Sequence, residues 1–330
     1  MNINLLKKKI FKINSPEDFN ETALVIFRHQ VQNNPVYRAY VEQLQIRPER
    51  IKTPDQIPFL PIEFFKTHKV YSGSAPPDHF FESSGTTGEI RSRHYYYDLE
   101  LYEQSFLKNF NGVFGKVDQF AVLGLLPSYL EQKNSSLIFM VNKLIEKSNN
   151  PHSGFYLYNY EELAEILLTT EKNEKKVILF GVSFALLDLI EKHSFNLKNT
   201  IVVETGGMKG RKREMIREEL HEVLCEGFGL KQVCSEYGMT EMFSQAWSRG
   251  EGKFFTPPWL RVVIRDMHDP LSHSSVGESG GINVIDLANI HSCSFIATQD
   301  LGRINKDGSY EVLGRFDNAE VRGCNILVSR

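Results

Sequence analysis

The chain has 330 residues, of which 41% are hydrophobic, and this is enough to bury the core of one large domain or two closely packed ones. The 38 basic and 41 acidic residues nearly cancel, which excludes the basic footprint of a nucleic-acid-binding protein. Four cysteines without paired spacing argue against a disulfide framework and a zinc site. No apolar stretch reaches signal or membrane-spanning length, so we expect a cytoplasmic protein without a membrane span.

The first eighty residues show mainly helical patterns. Ser15 and Pro16, followed by two acids, are typical of a helix start, and Pro35 follows its predicted end at about Asn33. A shorter helix is predicted through Tyr40, and a proline-punctuated stretch follows. We assign residues 1–80 to an N-terminal helical segment and residues 81–330 to the main domain.

Helices and buried strands alternate in the main domain, which predicts an α/β fold. Asp98 is predicted to cap a helix that contains Tyr102. Short apolar runs predict buried strands at Phe120–Leu126, Val177–Phe180 and Thr200–Val203. Helical patterns separate or follow them at Leu137–Ile145, Glu161–Leu168, Phe184–Ile190 and Glu214–Leu224. Beyond Trp259 the pattern changes to short alternating strands, at Leu260–Ile264, Gly281–Ile285 and Ser309–Leu313, which predict a smaller β-rich subdomain over about residues 259–330.

A loop of small polar residues precedes the first buried strand. It consists of Ser83, Ser84, Gly85, Thr86, Thr87 and Gly88. Its glycines permit a tight turn with inward N–H groups, its hydroxyls can donate to phosphate oxygens, and Arg91 adds charge. It is not a P-loop, which ends in Gly-Lys-Ser/Thr before a helix. A polar surface turn has the same composition, so a phosphate-binding role needs a second motif.

Two downstream segments supply further nucleotide-binding chemistry. Residues 235–241 follow a short apolar run and are predicted to end a strand, where residues of an open α/β sheet line the ligand crevice. They offer the aromatic ring of Tyr237, the hydroxyl of Thr240 and the carboxylate of Glu241, although an ordinary turn could contain the same residues. The third segment holds Asp300 and Arg315, separated by a hairpin turn at Asp307-Gly308.

In their order and spacing, these three segments resemble the motifs of the adenylate-forming superfamily, which includes acyl-CoA synthetases and peptide-synthetase adenylation domains. The resemblance implies a layered N-terminal-domain-like fold, with ATP and Mg²⁺ as cofactors. It implies Thr240 on the α-phosphate and Glu241 on Mg²⁺, both counted as catalytic. The nucleotide-binding residues that it implies are Ser83, Ser84, Gly85, Thr86, Thr87, Gly88, Arg91, Gly206, Gly207, Tyr237, Gly238, Asp300 and Arg315.

Some of these implied roles have alternative explanations, and at one position the sequence differs from the superfamily pattern. Tyr237 would lie against adenine, and Asp300 would bind the ribose. Gly206 and Gly207 would let the backbone approach adenine, but a simple strand-to-helix turn explains them equally well. The superfamily often has Pro-Lys where this chain has Ile90-Arg91, which keeps the positive charge in a bulkier, forked form.

The end of the sequence resembles a short branch of the superfamily. Only fifteen positions separate Arg315 from Arg330, so we expect the usual C-terminal lid domain, with its catalytic lysine, to be absent. Residues 126–131, 134–137 and 322–324 resemble the LuxE-type acyl-protein synthetases, and the likeness extends from about residue 55 to the end. That family activates a fatty acid as acyl-adenylate, holds it as a thioester on a cysteine near the C-terminus and passes it to a reductase partner. The resemblance implies Cys324 as that catalytic cysteine.

The residues themselves leave several alternatives open. Arg322 would favour the Cys324 thiolate, yet a cysteine beside an Ile-Leu-Val run can equally be a buried hydrophobe. We predict that the other three cysteines belong to the core, namely Cys225, Cys234 and Cys293. Three histidines are conceivable bases for the transfer step, namely His94, His152 and His291. A CoA ligase with a lid on a separate chain, or a noncatalytic nucleotide-binding subunit, remain alternative functions. The expected ligands are a fatty or other carboxylic acid and an acyl-reductase or other acceptor protein.

Overall fold

The structure is a computed structural model, and it describes residues 3–84, 90–127, 134–157, 159–206 and 215–316. The helices are α1 Ile3–Ile10, α2 Pro16–Asn33, α3 Pro35–Gln43, α4 Phe64–Thr67, α5 Glu100–Phe114, α6 Ser136–Ser148, α7 Tyr160–Lys172, α8 Ser183–Lys192 and α9 Arg217–Phe228. The strands are β1 Leu60–Pro61, β2 His79–Glu82, β3 Arg93–Tyr96, β4 Ala121–Leu125, β5 Gly154–Phe155, β6 Val177–Gly181, β7 Thr200–Glu204, β8 Cys234–Tyr237, β9 Ala246–Ser248, β10 Lys253–Phe255, β11 Leu260–Arg265, β12 Ser279–Asp286, β13 Phe295–Ile304 and β14 Tyr310–Arg315.

One large sheet organises the described chain, and the α/β prediction is confirmed. Its strand order is β11-β12-β13-β14-β10-β9-β8-β7-β6-β4-β5, and β1 pairs with β13. Strands β5, β4, β6, β7 and β8 pair in parallel. The pair β8–β9 and all pairs between β9 and β11 in this order are antiparallel. Strand β8 therefore lies where the sheet changes from parallel to antiparallel pairing.

The parallel strands are buried because helices cover them. All five residues of β4 and of β6 are buried, as expected for parallel strands in an α/β protein. Helix α2 begins where the sequence predicts, since the Ser15 side chain accepts a hydrogen bond from the Asp18 N–H. Helix α5 begins one residue later than a cap at Asp98 requires. Leu99 is the N-cap residue, while Asp98 accepts the Glu100 N–H through its side chain.

The β-rich part of the chain continues the same sheet. The predicted hairpin is confirmed: Ile304 pairs with Tyr310, and Gly308 in the turn has a φ of 83°, which favours glycine. Strand β1 pairs with β13, so residues before 81 contribute a strand to this sheet. The proposed boundaries at residues 80 and 259 stay predictions. Within the described chain, no helix is both long and apolar enough to cross a membrane.

Candidate functional site

A cleft of about 380 Å³ brings together residues from all three sequence motifs. From the first motif it contains Ser83 and Ser84, from the second Gly238, Thr240 and Glu241, and from the third Asp300 and Arg315. The sequence places more than 200 positions between the first and last of these residues. Their meeting in one cleft is therefore a property of the fold.

The Ser/Thr/Gly motif begins at the end of a two-stranded hairpin. Strands β2 and β3 are antiparallel, with Glu82 opposite Arg93. The Ser83 N–H donates to the Ser92 carbonyl at 3.0 Å, and the Ser92 N–H donates to the Ser83 hydroxyl at 3.0 Å. These bonds fix both ends of the loop at the cleft. Four predicted phosphate-binding residues of this loop lie outside the described residues, namely Gly85, Thr86, Thr87 and Gly88.

The segment with Thr240 and Glu241 is held by two buried side chains, His94 on β3 and Asn289 in the short 3-10 helix after β12. His94 donates through Nδ1 to the Thr240 carbonyl at 2.8 Å, since a carbonyl can only accept. The Asn289 amide donates to the Glu241 carbonyl at 2.7 Å. These two bonds engage the main chain and do not occupy the side chains of Thr240 and Glu241.

Glu241 has the character of a ligand-binding carboxylate. It is buried, and burial raises its pKa, while a hydrogen bond from Ser92 and the charge of Arg315 act in the opposite direction. A hard cation such as Mg²⁺ prefers oxygen ligands, and in nucleotide enzymes it takes several of them from phosphates and water. Across the described ranges, no group of three or more His, Cys, Asp or Glu side chains could hold a metal ion unaided. A Mg²⁺ ion held by Glu241 would therefore take its other ligands from a nucleotide and water, and this role of Glu241 stays a prediction.

Tyr237 and Asp300 connect the second motif to the third. The Tyr237 hydroxyl donates to Asp300 Oδ2 at 2.8 Å, and Arg315 Nε lies 3.8 Å from Asp300 Oδ1. Burial raises the pKa of the Asp300 carboxyl, and the Tyr237 hydrogen bond and Arg315 partly offset this. Arg315 lines the cleft and is largely exposed, whereas Tyr237 is buried at the end of β8 and is not among the residues that line the cleft.

Two further predicted residues lie beside the cleft and do not line it. Gly206 follows β7 with a φ of 76°, a conformation that favours glycine, and its N–H donates to the Glu204 carboxylate at 2.6 Å. Arg91 pairs with Glu82 at 3.3 Å on the adjacent surface. Gly207 and Cys324 lie outside the described residues. The nucleotide roles of these residues stay predictions.

The other candidate nucleophiles and bases are poorly suited to their roles. Cys234 and Cys293 are buried as predicted, and burial raises their thiol pKa values to about 11 and about 12; Cys225 is only partly buried, and burial raises its pKa too. Burial lowers the pKa of His94 and of His291 to about 4, so both are neutral at neutral pH.

The cleft also contains residues that the motifs did not identify. They include Lys66 after β1, Tyr102 of α5, Ser135, Ser136, Leu137 and Met140 at the start of α6, Thr205 after β7, Glu236 on β8, and Gln245 and Gln299. Ser135 to Leu137 belong to a segment used for the family resemblance, and Glu236 lies inside the second motif. Tyr102 carries no sequence signal, because helical periodicity marks it only as a core residue.

Several solved structures share this fold. 2-Hydroxyisobutyryl-CoA ligase aligns over 92% of this chain and 69% of its own, at 12% identity and a TM-score of 0.64. A long-chain-fatty-acid-CoA ligase (FadD1) from Archaeoglobus fulgidus aligns over 76% and 54%, at 17% identity and 0.53. MatB from Rhodopseudomonas palustris, solved with ATP bound, aligns over 72% and 47%, at 15% identity and 0.52. This chain thus matches about half the length of some of these proteins, and the likeness is one of fold.

The fold is therefore that of the N-terminal domain of adenylate-forming ligases. The family described as "Acyl-protein synthetase, LuxE" matches residues 13–330. The chain belongs to this family. A comparison with curated proteins found no match.

Proposed function

We propose that this protein uses ATP to activate a carboxylic acid as an acyl-adenylate and then transfers the acyl group to a cysteine thiol. The observation that carries the proposal is the convergence of Ser83, Glu241 and Asp300, from three distant motifs, on one cleft. Membership of the acyl-protein synthetase family supports the same chemistry.

In the first half-reaction, a carboxylate oxygen of the acid attacks the α-phosphorus of ATP. The new bond joins that oxygen to phosphorus, and the bond to pyrophosphate breaks. The Thr240 hydroxyl would donate to an α-phosphate oxygen, Asp300 would accept from the ribose hydroxyls, and Arg315 would add positive charge. Glu241 would hold Mg²⁺, which supplies positive charge to the phosphate oxygens when bound.

In the second half-reaction, the Cys324 thiolate attacks the acyl carbonyl carbon. A carbon–sulfur bond forms, and AMP leaves with the electrons of the carbon–oxygen bond. The family resemblance points to Cys324, and the raised pKa values of Cys225, Cys234 and Cys293 make those thiols weak competitors. In the same proposal, the acyl group is a fatty or related acid, and an acyl-reductase or other protein then accepts it.

Carboxylate-dependent exchange of pyrophosphate into ATP tests the first half-reaction directly. We expect exchange with at least one acid, and we expect Cys324→Ser to retain it, because activation needs only the nucleotide cleft. Calorimetry with ATP and AMP provides the accompanying binding measurement. Absence of both exchange and nucleotide binding would favour a noncatalytic subunit, whereas rapid acylation of free CoA would favour a CoA ligase.

A further inference from the structure

The Glu236 side chain lines the cleft beside the nucleotide motif, and the proposed reaction assigns it no role. It stands next to Tyr237 at the end of β8. Among the described residues, no side chain or main-chain group forms a hydrogen bond or ion pair with it, in contrast to Glu82, which pairs with Arg91 and Arg93. A carboxyl group in such a place costs free energy unless a ligand pairs with it.

Gly238 makes room for this carboxyl group. A Cβ atom at position 238 would overlap Glu236 Oε1 and would lie 3.3 Å from Gln245 Cγ. The backbone conformation of Gly238 does not require glycine, because its φ is not in the positive range. A larger residue at position 238 would therefore force the Glu236 carboxyl group to move from its present position.

Lys66 and Arg315 line the same cleft, but neither contributes to the pKa shift of Glu236, whose described neighbours include an acceptor and an acid. Gln245 lines the same cleft, and its buried Oε1 has no hydrogen-bond partner among the described residues. The charge of Glu204 opposes ionisation of Glu236, and burial does so more strongly, so that the pKa of Glu236 rises to about 8. The other titratable groups that interact with it are the phenols of Tyr102 and Tyr310. A cationic hydrogen-bond donor is the complementary ligand for this group of side chains.

Residues of α5 and α6 line the same cleft as Glu236. Tyr102 donates its hydroxyl to the Ser136 carbonyl at 2.9 Å, so it is already engaged. Leu137 and Met140 add apolar surface that suits a short hydrocarbon chain. Glu236 lies on β8, whereas the ribose-binding candidate Asp300 lies on β13.

We propose that the carboxylic acid activated in this cleft carries an amino group, and that its ammonium binds the Glu236 carboxylate. This inference rests on the proposed function, and it replaces the unsubstituted fatty acid that the family resemblance implies with an amino-substituted acid. On binding, Glu236 gives up its proton to solvent, and the resulting ion pair satisfies the carboxylate. An unsubstituted alkyl chain would leave Glu236 and Gln245 without partners.

Pyrophosphate exchange with matched acids tests the proposal. The panel holds unsubstituted, hydroxy and amino acids of equal chain length, with the substituent placed at several positions. For the wild type, we expect the best amino acid to exceed its unsubstituted match in kcat/KM by on the order of a hundredfold, because a site built to pair with N–H groups rejects analogues that lack them.

The matched variants are Glu236→Gln and Glu311→Gln. We expect Glu236→Gln to lose most of the preference for the amino compound while AMP binding by calorimetry is unchanged. Glu311 pairs with Arg303 outside the cleft, and its variant should keep the preference. Equal exchange of the three acid types by the wild type, or an unchanged preference in Glu236→Gln, would overturn the proposal. Failure of every acid would instead remove the proposed function on which it rests.

Discussion

At the scale of single residues, the hydrogen bond from Tyr237 to Asp300 links two motifs that lie 63 positions apart. Asp300 is partly buried, and its ion-pair partner, Arg315 Nε, lies 3.8 Å away. The phenol therefore supplies the main close contact to a carboxyl group whose pKa burial raises. It also fixes the Tyr237 hydroxyl against Asp300, which lines the proposed nucleotide cleft.

Tyr237→Phe should lower both stability and nucleotide affinity. Removal of the hydroxyl leaves a partly buried carboxyl group with less compensation, so we expect a loss of about 1–3 kcal/mol in the free energy of unfolding. Denaturant unfolding and calorimetry with AMP measure the two effects. Tyr96→Phe is the control, since Tyr96 is half-buried on the β2–β3 hairpin. Equal changes in the free energy of unfolding and in AMP affinity for the two variants would contradict the role given to the Tyr237 hydroxyl.

Glu241→Gln should reduce pyrophosphate exchange without unfolding the protein. The Asn289 and His94 hydrogen bonds hold the main chain of this segment whatever the side chain is. Loss of a group that stabilises transition-state charge typically costs on the order of a hundredfold or more in rate. The exposed Glu251→Gln is the control for a generic loss of charge. Exchange at the wild-type rate in Glu241→Gln would exclude Glu241 from the proposed reaction.

At the scale of elements, Asp286 at the end of β12 fixes the turn that follows Glu241. Its buried carboxylate accepts hydrogen bonds from the Phe243 and Ser244 N–H groups, the Ser244 hydroxyl and the Ala288 N–H. Burial raises the pKa of Asp286 to about 6, and these hydrogen bonds act in the opposite direction. The site segment is thus held by the antiparallel half of the sheet.

Asp286→Ala should destabilise the protein and impair exchange together. It leaves three buried N–H groups without their acceptor, and we expect a loss of about 3 kcal/mol or more in the free energy of unfolding. Asp266→Ala is the matched control, since Asp266 accepts the His268 and Asp269 N–H groups in an exposed loop. Similar small losses in denaturant unfolding of both variants would show that Asp286 does not hold the turn.

The elements that the sequence predicted well are those with strong periodic signals. Short, continuous apolar runs identified β4, β6 and β7, and the Ser15-Pro16 start identified α2. The β2–β3 hairpin was missed because its strands have four residues each and a long polar loop joins them. Helix α1 lies in the predicted N-terminal helical segment, but its bounds were not predicted, because its lysines hide the two buried residues on which it packs, Leu6 and Ile10.

The site also contains some residues that the sequence predicted and others that it did not. Thr240, Glu241 and Asp300 were predicted as site residues from local motifs, and the structure places them in one cleft, although no measurement yet tests their roles. Tyr102 could not be predicted as a cleft residue, because only the packing of α5 and α6 against β8 brings it there. Glu236 was visible within a motif, but its missing partner is a property of the folded environment.

At the scale of the whole molecule, the buried acids make stability depend on pH. The pKa of Glu236 rises from 4.5 to about 8, so the folded protein binds a proton that the unfolded chain has already lost. The free energy of unfolding therefore contains a contribution that is fully present below pH 4.5 and falls as pH rises to about 8. Buried His94 and His291 act with the opposite sign below their ordinary pKa, because burial lowers their pKa values.

Comparison of the wild type with Glu236→Gln isolates the contribution of Glu236. The stability of the variant relative to the wild type should increase between pH 5 and pH 8, by on the order of 3 kcal/mol. Denaturant unfolding at several pH values, without ligands, measures this difference. Glu222→Gln, on the exposed face of α9, should track the wild type at every pH. A constant difference between wild type and Glu236→Gln would mean that the folded protein does not raise the pKa of the Glu236 carboxyl group.

The proposed enzyme activates an acid in this cleft and transfers the acyl group to Cys324. The most direct measurement is the intact mass of the protein after incubation with ATP, Mg²⁺ and a panel of carboxylic acids that includes amino-substituted members, without CoA. We predict the gain of one acyl group that neutral hydroxylamine removes, as expected of a thioester, and the loss of this label in Cys324→Ser. A label that persists in Cys324→Ser would contradict the assignment of the cysteine, and an unchanged mass with every acid would contradict the acyl-protein synthetase account.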